Sequence, residues 1–253
     1  MENNTSPEHK NRLDVEMHSR GLARSRSNAV DLIKRGKVKI NGKVVTKASV
    51  EVGMADTLSI ETPEKFVSRA GEKLEHALSV FKVDVKDLTA VDIGSSTGGF
   101  TDCLLQHGAR KVIAIDVGTD QLVAELRNDP RVEVHEGSNV RSFVISEQVD
   151  IAVIDVSFIS LTLVLPKAYE FLKDGGLLKK GGTVVALVKP QFEVGMETAK
   201  KHRGVITSEG EHREVLERVK KVAKEIGFKV VNETISPIEG EKGNKEFLLL
   251  LKK

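Results

Sequence analysis

Four ionisable side chains stand where apolar runs begin or end. Asp116 closes KVIAIDV (111–117), Asp155 closes VDIAVIDVS (149–157), Lys189 closes TVVALVK (183–189), and Glu246 opens EFLLLLK (246–252). Short apolar runs bounded by turn signals read as buried strands, so each charge is delivered to the rim of a sheet. A carboxylate there can accept hydrogen bonds from hydroxyl groups, and a lysine can donate to an oxygen or, as a neutral amine, take a proton. Another run, LTAVDIG (88–94), leads into VDIGSSTGGFTDCLL. Its Gly94, Gly98 and Gly99 allow a sharp turn and close backbone approach to a ligand, ahead of a helix whose first amides are unpaired. The spacing is not GxGxxG, which disfavours a pyrophosphate loop. Asp116 follows Gly94 by twenty-two positions, about where an acid meets ribose hydroxyls in nucleotide-binding α/β folds. Alone, that combination serves dehydrogenases and methyltransferases equally.

The elements that must position these residues follow from spacing. RVEVHEG (131–137) and FKVVNETI (228–235) add two more strands, and helical lengths separate most of the set. The expected fold is α/β, a doubly wound sheet with right-handed crossovers and ligands at the carboxyl ends of its strands. Only SPIEGEKGNK separates the last two strands, so the final one should run antiparallel. Glu246 would then start at the rim where Asp155 and Lys189 finish. Lys73, in the helical segment SRAGEKLEHAL, reads locally as an ordinary exposed helix lysine.

Charge is distributed unevenly. The net charge is only +2, yet residues 10–47 hold eleven Lys and Arg against Asp14, Glu16 and Asp31. That excess of eight leaves the remainder acidic. RLDVEMHSRGLARSRSNAVDLIKRG contains two helical patterns, with Ser25 as a cap of the second and Gly36 at its close. KVKINGKVV reads as a hairpin around Asn41-Gly42. The candidate RNA-binding residues are Arg12, Arg20, Arg24 and Arg26 along the helices, Lys34, Arg35 and Lys37 at the turn, and Lys39, Lys43 and Lys47 on the hairpin. The order of RLDV, GLARSRSNA, LIKRGKVKINGKVV and TKAS resembles the S-four RNA-binding module over residues 11–58.

Beyond it, SRAGEKL, DIGSSTGGFTD, DVSFISL, VKPQFE and SPIEGEKGNKEF together resemble the TlyA family, also called haemolysin-like, in which an S-four module joins an FtsJ-like RNA methyltransferase. The resemblance implies a Rossmann-like class I methyltransferase sheet with an antiparallel last strand, and ribose 2′-O-methylation of ribosomal RNA. It implies a catalytic tetrad of Lys73, Asp155, Lys189 and Glu246. It also implies S-adenosylmethionine held by Asp92, Gly94, Ser95, Thr97, Gly98, Gly99 and Phe100, with Asp116 and Val117 toward its ribose, Asn139 toward its adenine, and Asp155. Desolvation and a second ammonium favour a neutral Lys189, whereas Asp155 and Glu246 favour the charged form. Lys189 is thus either a general base or an orienting cation. After VKPQFE the chain reads KKHRGVITSEGEH, where the family carries a glycine pair and a basic residue.

The expected organisation is a mobile start (1–10), the RNA-binding module (11–58), a polar junction (59–66) and the methyltransferase domain (67–253). One cysteine, Cys103, excludes an internal disulfide and reads as a core thiol. No metal site is expected. No targeting signal or run of membrane-spanning length occurs, which leads us to expect a cytoplasmic protein with ribosomal RNA or ribosomal subunits as partners and no stable membrane association. A membrane-active, haemolysin-like protein and a non-catalytic ribosome-assembly factor are the alternative readings. With nine Phe, one Tyr and no Trp, apolar and polar contacts are expected to hold the target base in place of aromatic stacking.

Overall fold

The structure, a computed structural model, describes residues 10–61, 64–174, 181–240 and 242–253. The expected mobile start lies outside these residues except for Lys10, as do positions 62 and 63 of the expected junction. The chain divides into two compact units, Met1–Glu64 and Lys65–Lys253.

In the smaller unit, β1 (Asn11–Arg12) leads into α1 (Leu13–Ser19), and α2 (Arg26–Lys34) precedes β2 (Val38–Ile40), β3 (Lys43–Val45), β4 (Glu51–Val52) and β5 (Leu58–Ile60). Leu13 and Met17, one helical turn apart, meet Ala29, Ile33 and Val38 in a small core. Ser25 Oγ accepts the Asn28 amide at 3.1 Å, capping α2. Asn41 and Gly42 are both left-handed, at φ +49° and +81°, as a primed hairpin turn requires. The sequence reading assigned Ser59 and Ile60 to the junction, but they belong to β5, which pairs antiparallel with β2. A three-residue strand carries too little periodicity to announce itself, so its partner defines it.

The larger unit runs α3 (Ala70–Phe81), β6 (Thr89–Ile93), α4 (Gly99–Gln106), β7 (Lys111–Ile115), α5 (Ala124–Arg127), β8 (Val132–His135), β9 (Ile151–Ile154), α6 (Leu165–Phe171), β10 (Thr183–Val188), α7 (Pro190–Glu193), α8 (Met196–Lys201), α9 (Glu209–Ile226), β11 (Lys229–Ile235) and β12 (Phe247–Lys252). A short 3-10 turn, Leu161–Leu163, precedes α6. Among the described residues the sheet has seven strands, ordered β11-β12-β10-β9-β6-β7-β8, with β12 antiparallel to both neighbours. Ala152, Ile154, Val184, Ala186 and Val188 face one apolar core, whereas Ile151, Val153, Val185 and Leu187 face the other. Both faces are covered, which is why these strands read as unbroken apolar runs. On α9, Val215, Val219 and Ala223 recur at helical spacing on the buried side. Cys103 is fully buried in α4, and burial, followed by nearby carboxylates, pushes its thiol up, so the side chain behaves as a small core hydrophobe.

Candidate active site

β6 and β9 lie side by side, yet β6 is followed outward by β7 and β9 by β10. The strand order therefore reverses at this pair, and a crevice opens above their carboxyl ends. Gly94 sits at that point with φ +86° and donates its amide to the Ile115 carbonyl at 2.8 Å. A Cβ here would lie 2.6 Å from the Asp155 carbonyl oxygen, so both the conformation and the close approach of two strands demand glycine. Gly98, left-handed at φ +100°, makes the expected sharp turn, and packing adds a second reason for glycine there and at Gly99. The space a side chain would take belongs to Leu122 and Leu126 at the first and to Ser68 and Ala70 at the second. These glycines let the loop pack on its own protein. Ser95, Thr97, Gly99 and Phe100 surround a crevice of about 150 Å³ shared with Gly94, Asp155 and Lys189. Phe100 is only 2% exposed, its ring belonging to the core.

Asp92 lies beneath this loop. It is fully buried, one oxygen accepts Thr101 Oγ1 at 2.7 Å, the other has no partner, and the residue lines none of the clefts described here. The cofactor contact expected of it is thus replaced by support from below. Burial, opposed by the Thr101 hydrogen bond and reinforced by Asp155, pushes its carboxyl up to about 7.

Beyond β7, the Asp116 carboxylate accepts the Gly118 amide at 2.7 Å and the Ser96 amide at 2.8 Å. It ties the second strand-end loop to the glycine loop, and its remaining lone pairs stay available to a hydroxyl. Asp116, Val117 and Asn139 line a cleft of about 550 Å³ whose apolar walls include Ile115, Val140, Ile159 and Val164, and Asp155 closes its inner end. Glu136 was not foreseen. It accepts the amides of Asp120, Gln121 and Leu122 at 2.8–2.9 Å and contacts Arg127 at 2.7 Å, fixing the loop from which Gln121 enters this cleft. Burial pushes its carboxyl up, but the three amides and Arg127 outweigh that and hold it at about 2. Within HEG it looks like any polar strand end, and only the fold brings the amides to it.

A second cleft, about 490 Å³, joins residues from four distant segments: Lys73, Asp155, Lys189 and Glu246 all line it. Lys73 is not the exposed helix lysine that its local sequence suggests. It is 5% exposed and donates from Nζ to Glu246 Oε2 at 2.5 Å. Glu246 is 2% exposed. The β10–β12 register pairs Val188 with Phe247, so Lys189 and Glu246 stand one step past the ladder at the same rim. Lys189 Nζ lies 2.6 Å from Asp155 Oδ1 and donates to Ser157 Oγ at 2.9 Å. Two lysines and two carboxylates at low exposure form paired charges, each compensating the desolvation of the other.

The two larger clefts share Asp155, Ser157 and Phe158. Phe158 is 91% exposed and left-handed at φ +63°, and its ring centroid is 5.0 Å from that of Phe192. A large apolar side chain held in water on a strained backbone marks a site of function. The scarcity of aromatics therefore does not deprive the pocket of them, because two of the few stand at this cleft. Their signal in the sequence is position: each lies three residues after a strand-end charge, in DVSF and KPQF.

In the smaller unit the ten basic candidates separate. Arg20 donates to Glu16 and to the Asp56 and Gly53 carbonyls, so it staples the module together. Arg12 and Arg26 pair with Asp14, Lys39 with Glu61, and Arg35 with Asp31 and Glu64. Arg24, Lys34, Lys43 and Lys47 are exposed and take part in none of the ion pairs found among the described residues, and Lys37 is half-buried.

Comparison with known proteins adds to this geometry. Residues 66–253 match the FtsJ-like methyltransferase family, and residues 11–58 match the S4 domain. The chain is 42% identical to the 16S/23S rRNA (cytidine-2′-O)-methyltransferase TlyA of Mycobacterium tuberculosis, over 95% of this chain and 89% of that protein. It is likewise 42% identical to Hemolysin A of Brachyspira hyodysenteriae, over 94% of this chain and 98% of that one. A solved structure from Streptococcus thermophilus, whose name marks it as a candidate hemolysin, is 43% identical and superimposes with a TM-score of 0.75, covering 96% of this chain and 88% of that chain. With its class I methyltransferase sheet behind an S4 domain, the chain belongs to the TlyA family of FtsJ-like methyltransferases.

Proposed function

We propose that this protein methylates a ribose 2′-hydroxyl of ribosomal RNA with S-adenosylmethionine as donor, working in the cytoplasm on ribosomal RNA or ribosomal subunits. The carrying observation is the convergence of the Lys73–Glu246 and Lys189–Asp155 pairs in one cleft that shares Asp155, Ser157 and Phe158 with a second. The residues present fit the cofactor. The cleft of about 550 Å³ has apolar walls for a flat ring, the Asp116 carboxylate for hydroxyl groups, and Asp155 Oδ1, a buried acceptor beside Lys189 with no aligned hydrogen-bond donor. When bound, S-adenosylmethionine supplies a methyl group already activated on a sulfonium.

The remaining task falls to the protein: a 2′-hydroxyl is a weak nucleophile until it is aligned and its proton drawn away. As an ammonium, Lys189 has three donors. Ser157 engages one and Asp155 holds the charge as its ion-pair partner, which leaves a donor for the hydroxyl oxygen and for the negative charge that develops on it. The buried Lys73–Glu246 pair fixes the rim beside it. Phe158 and Phe192 offer apolar faces to a base extruded from its stack. The partner-side reading assigns the S4 domain to RNA.

The test is methyl transfer from radiolabelled S-adenosylmethionine to ribosomal subunits and to their naked RNAs, with the labelled nucleotide mapped by mass spectrometry. We expect label on ribose, lost by at least about 100-fold in Lys189→Ala while cofactor affinity stays within about threefold. Undiminished transfer by that variant would remove Lys189 from the mechanism. Cofactor binding without transfer by the wild type to any of these RNAs would favour an assembly role.

A further inference from the structure

Glu193, the last residue of α7, contacts neither cleft through its side chain, yet its burial is unusual for a carboxylate: the residue is 7% exposed. Its two oxygens reach across to the segment that follows β9. Oε1 accepts the Leu161 amide at 2.6 Å, and Oε2 accepts the Ser160 hydroxyl at 2.7 Å. Leu161 opens the 3-10 turn, so the carboxylate binds the unpaired amide end of that turn. Arg218, from the long helix α9, stands 3.6 Å from Oε2 and also donates to the Glu193 backbone carbonyl.

The two segments so joined are the ones that carry the reaction. The first holds Asp155, Ser157 and the left-handed Phe158. The second holds Lys189 and Phe192, and the Phe192 amide donates to the Lys189 carbonyl at 3.0 Å. One is a loop and the other the short helix α7, each leaving a parallel strand, and the strand ladder ends before Asp155 and Lys189. Something past the ladder must hold them in register. From this geometry we infer that Glu193 is a positioning residue for methyl transfer. Its carboxylate pins the loop after β9 to the turn after β10, and thereby sets Lys189 against Asp155 and Phe158 against Phe192. The inference rests on the methyl-transfer reading above.

The experiment compares Glu193→Ala and Glu193→Gln in the full chain, measuring single-turnover methylation of ribosomal RNA, cofactor affinity, and amide hydrogen exchange at Leu161. In Glu193→Ala we expect the turnover rate to fall by roughly 30- to 100-fold, the scale of a misplaced catalytic group, with cofactor affinity within about threefold. Leu161 should lose protection by about tenfold or more, because its amide has lost its buried acceptor. Glu193→Gln keeps a carbonyl for that amide and should recover the rate to within about fivefold of wild type. A Glu193→Ala rate within about twofold of wild type, with Leu161 deprotected, overturns the inference. So does a glutamine variant as slow as alanine with cofactor affinity lost in parallel. Should the alanine variant fail to fold, Ser160→Ala with Glu193→Gln in a double-mutant cycle replaces it: coupled losses in rate support the brace, and additive ones refute it. A wild type that places no methyl on ribose sinks the functional reading itself, and the Leu161 exchange then still decides whether the brace exists.

Discussion

Lys73 and Glu246 show what burial does to a pair of ordinary ionisable residues. They are 173 positions apart and meet at 2.5 Å with 6% and 2% of their side chains exposed. Each charge is tolerated there only because of the other. Lys73→Met should therefore leave a buried, unpaired carboxylate and cost about 3–5 kcal/mol of stability, read from urea unfolding. Pairing that change with Glu246→Leu should restore most of the stability while turnover stays lost, separating the structural contribution of the pair from its catalytic one. A single variant as stable as the wild type would mean that water reaches the site. A close lysine–carboxylate contact also recurs at Lys189 and Asp155, but there Asp155 opens onto both clefts and Lys189 onto the one that Lys73 and Glu246 also line.

At the scale of elements, the site is a product of strand ends and the loops that leave them. The loop after β6 rests on Asp92, whose buried carboxyl is pushed up from 3.8 to about 7. Because the native state holds this proton more tightly than the unfolded chain, stability falls as pH rises between those values and levels off above the upper one. The shift corresponds to a difference on the order of 4 kcal/mol. Asp92→Asn can still accept from Thr101 and cannot ionise. We expect wild-type stability to fall relative to that variant between about pH 4 and about pH 7 in urea unfolding, and a pH-independent difference would place water or a counter-charge at the unpartnered oxygen. The neighbouring loops are held in a similar manner: Asp116 and Glu136 accept backbone amides around the cleft that Asp116 and Asn139 line, and Glu193 accepts the Leu161 amide and the Ser160 hydroxyl. Among the described residues these loops gain their order from carboxylates that collect amides.

For the whole molecule, chemistry and RNA contact are assigned to separate units. The smaller one carries the basic surplus, but its cations are unequal: Arg20 is committed to the fold, while Arg24, Lys34, Lys43 and Lys47 are exposed outside the ion pairs found. Replacing those four with glutamine should weaken RNA binding and lower the slope of log affinity against log salt by up to about 3.6, at roughly 0.7–0.9 per lost phosphate contact. Cofactor affinity should stay within about twofold. An unchanged slope, or equal loss of both affinities, would count against this division. No helix among the described residues is long and apolar enough to cross a membrane.

Much of this was legible before any coordinates. The seven strands of the large sheet, their order of appearance, the antiparallel last strand, the hairpin at Asn41-Gly42 and the cap at Ser25 all follow from period, turn chemistry and connection length, which are local properties. The convergence of Lys73, Asp155, Lys189 and Glu246 on one cleft was legible through the motif resemblance together with those strand ends. What the sequence could not decide is what each side chain meets. Lys73 reads as exposed because nothing within a helical turn of it is acidic and buried; its partner comes from the far end of the chain. That Leu122 and Leu126 also claim the space beside Gly98 is hidden from a composition, which cannot tell a leucine's claim on a space from a cofactor's. Glu136, Glu193 and Phe158 were passed over because their significance lies in amides and rings brought near by crossovers. By itself the sequence determined the elements and the charges at their ends, since these depend on neighbours along the chain. Only the tertiary structure decided which charges pair, which glycines pack and which loops are pinned, since burial and hydrogen bonding depend on neighbours in space.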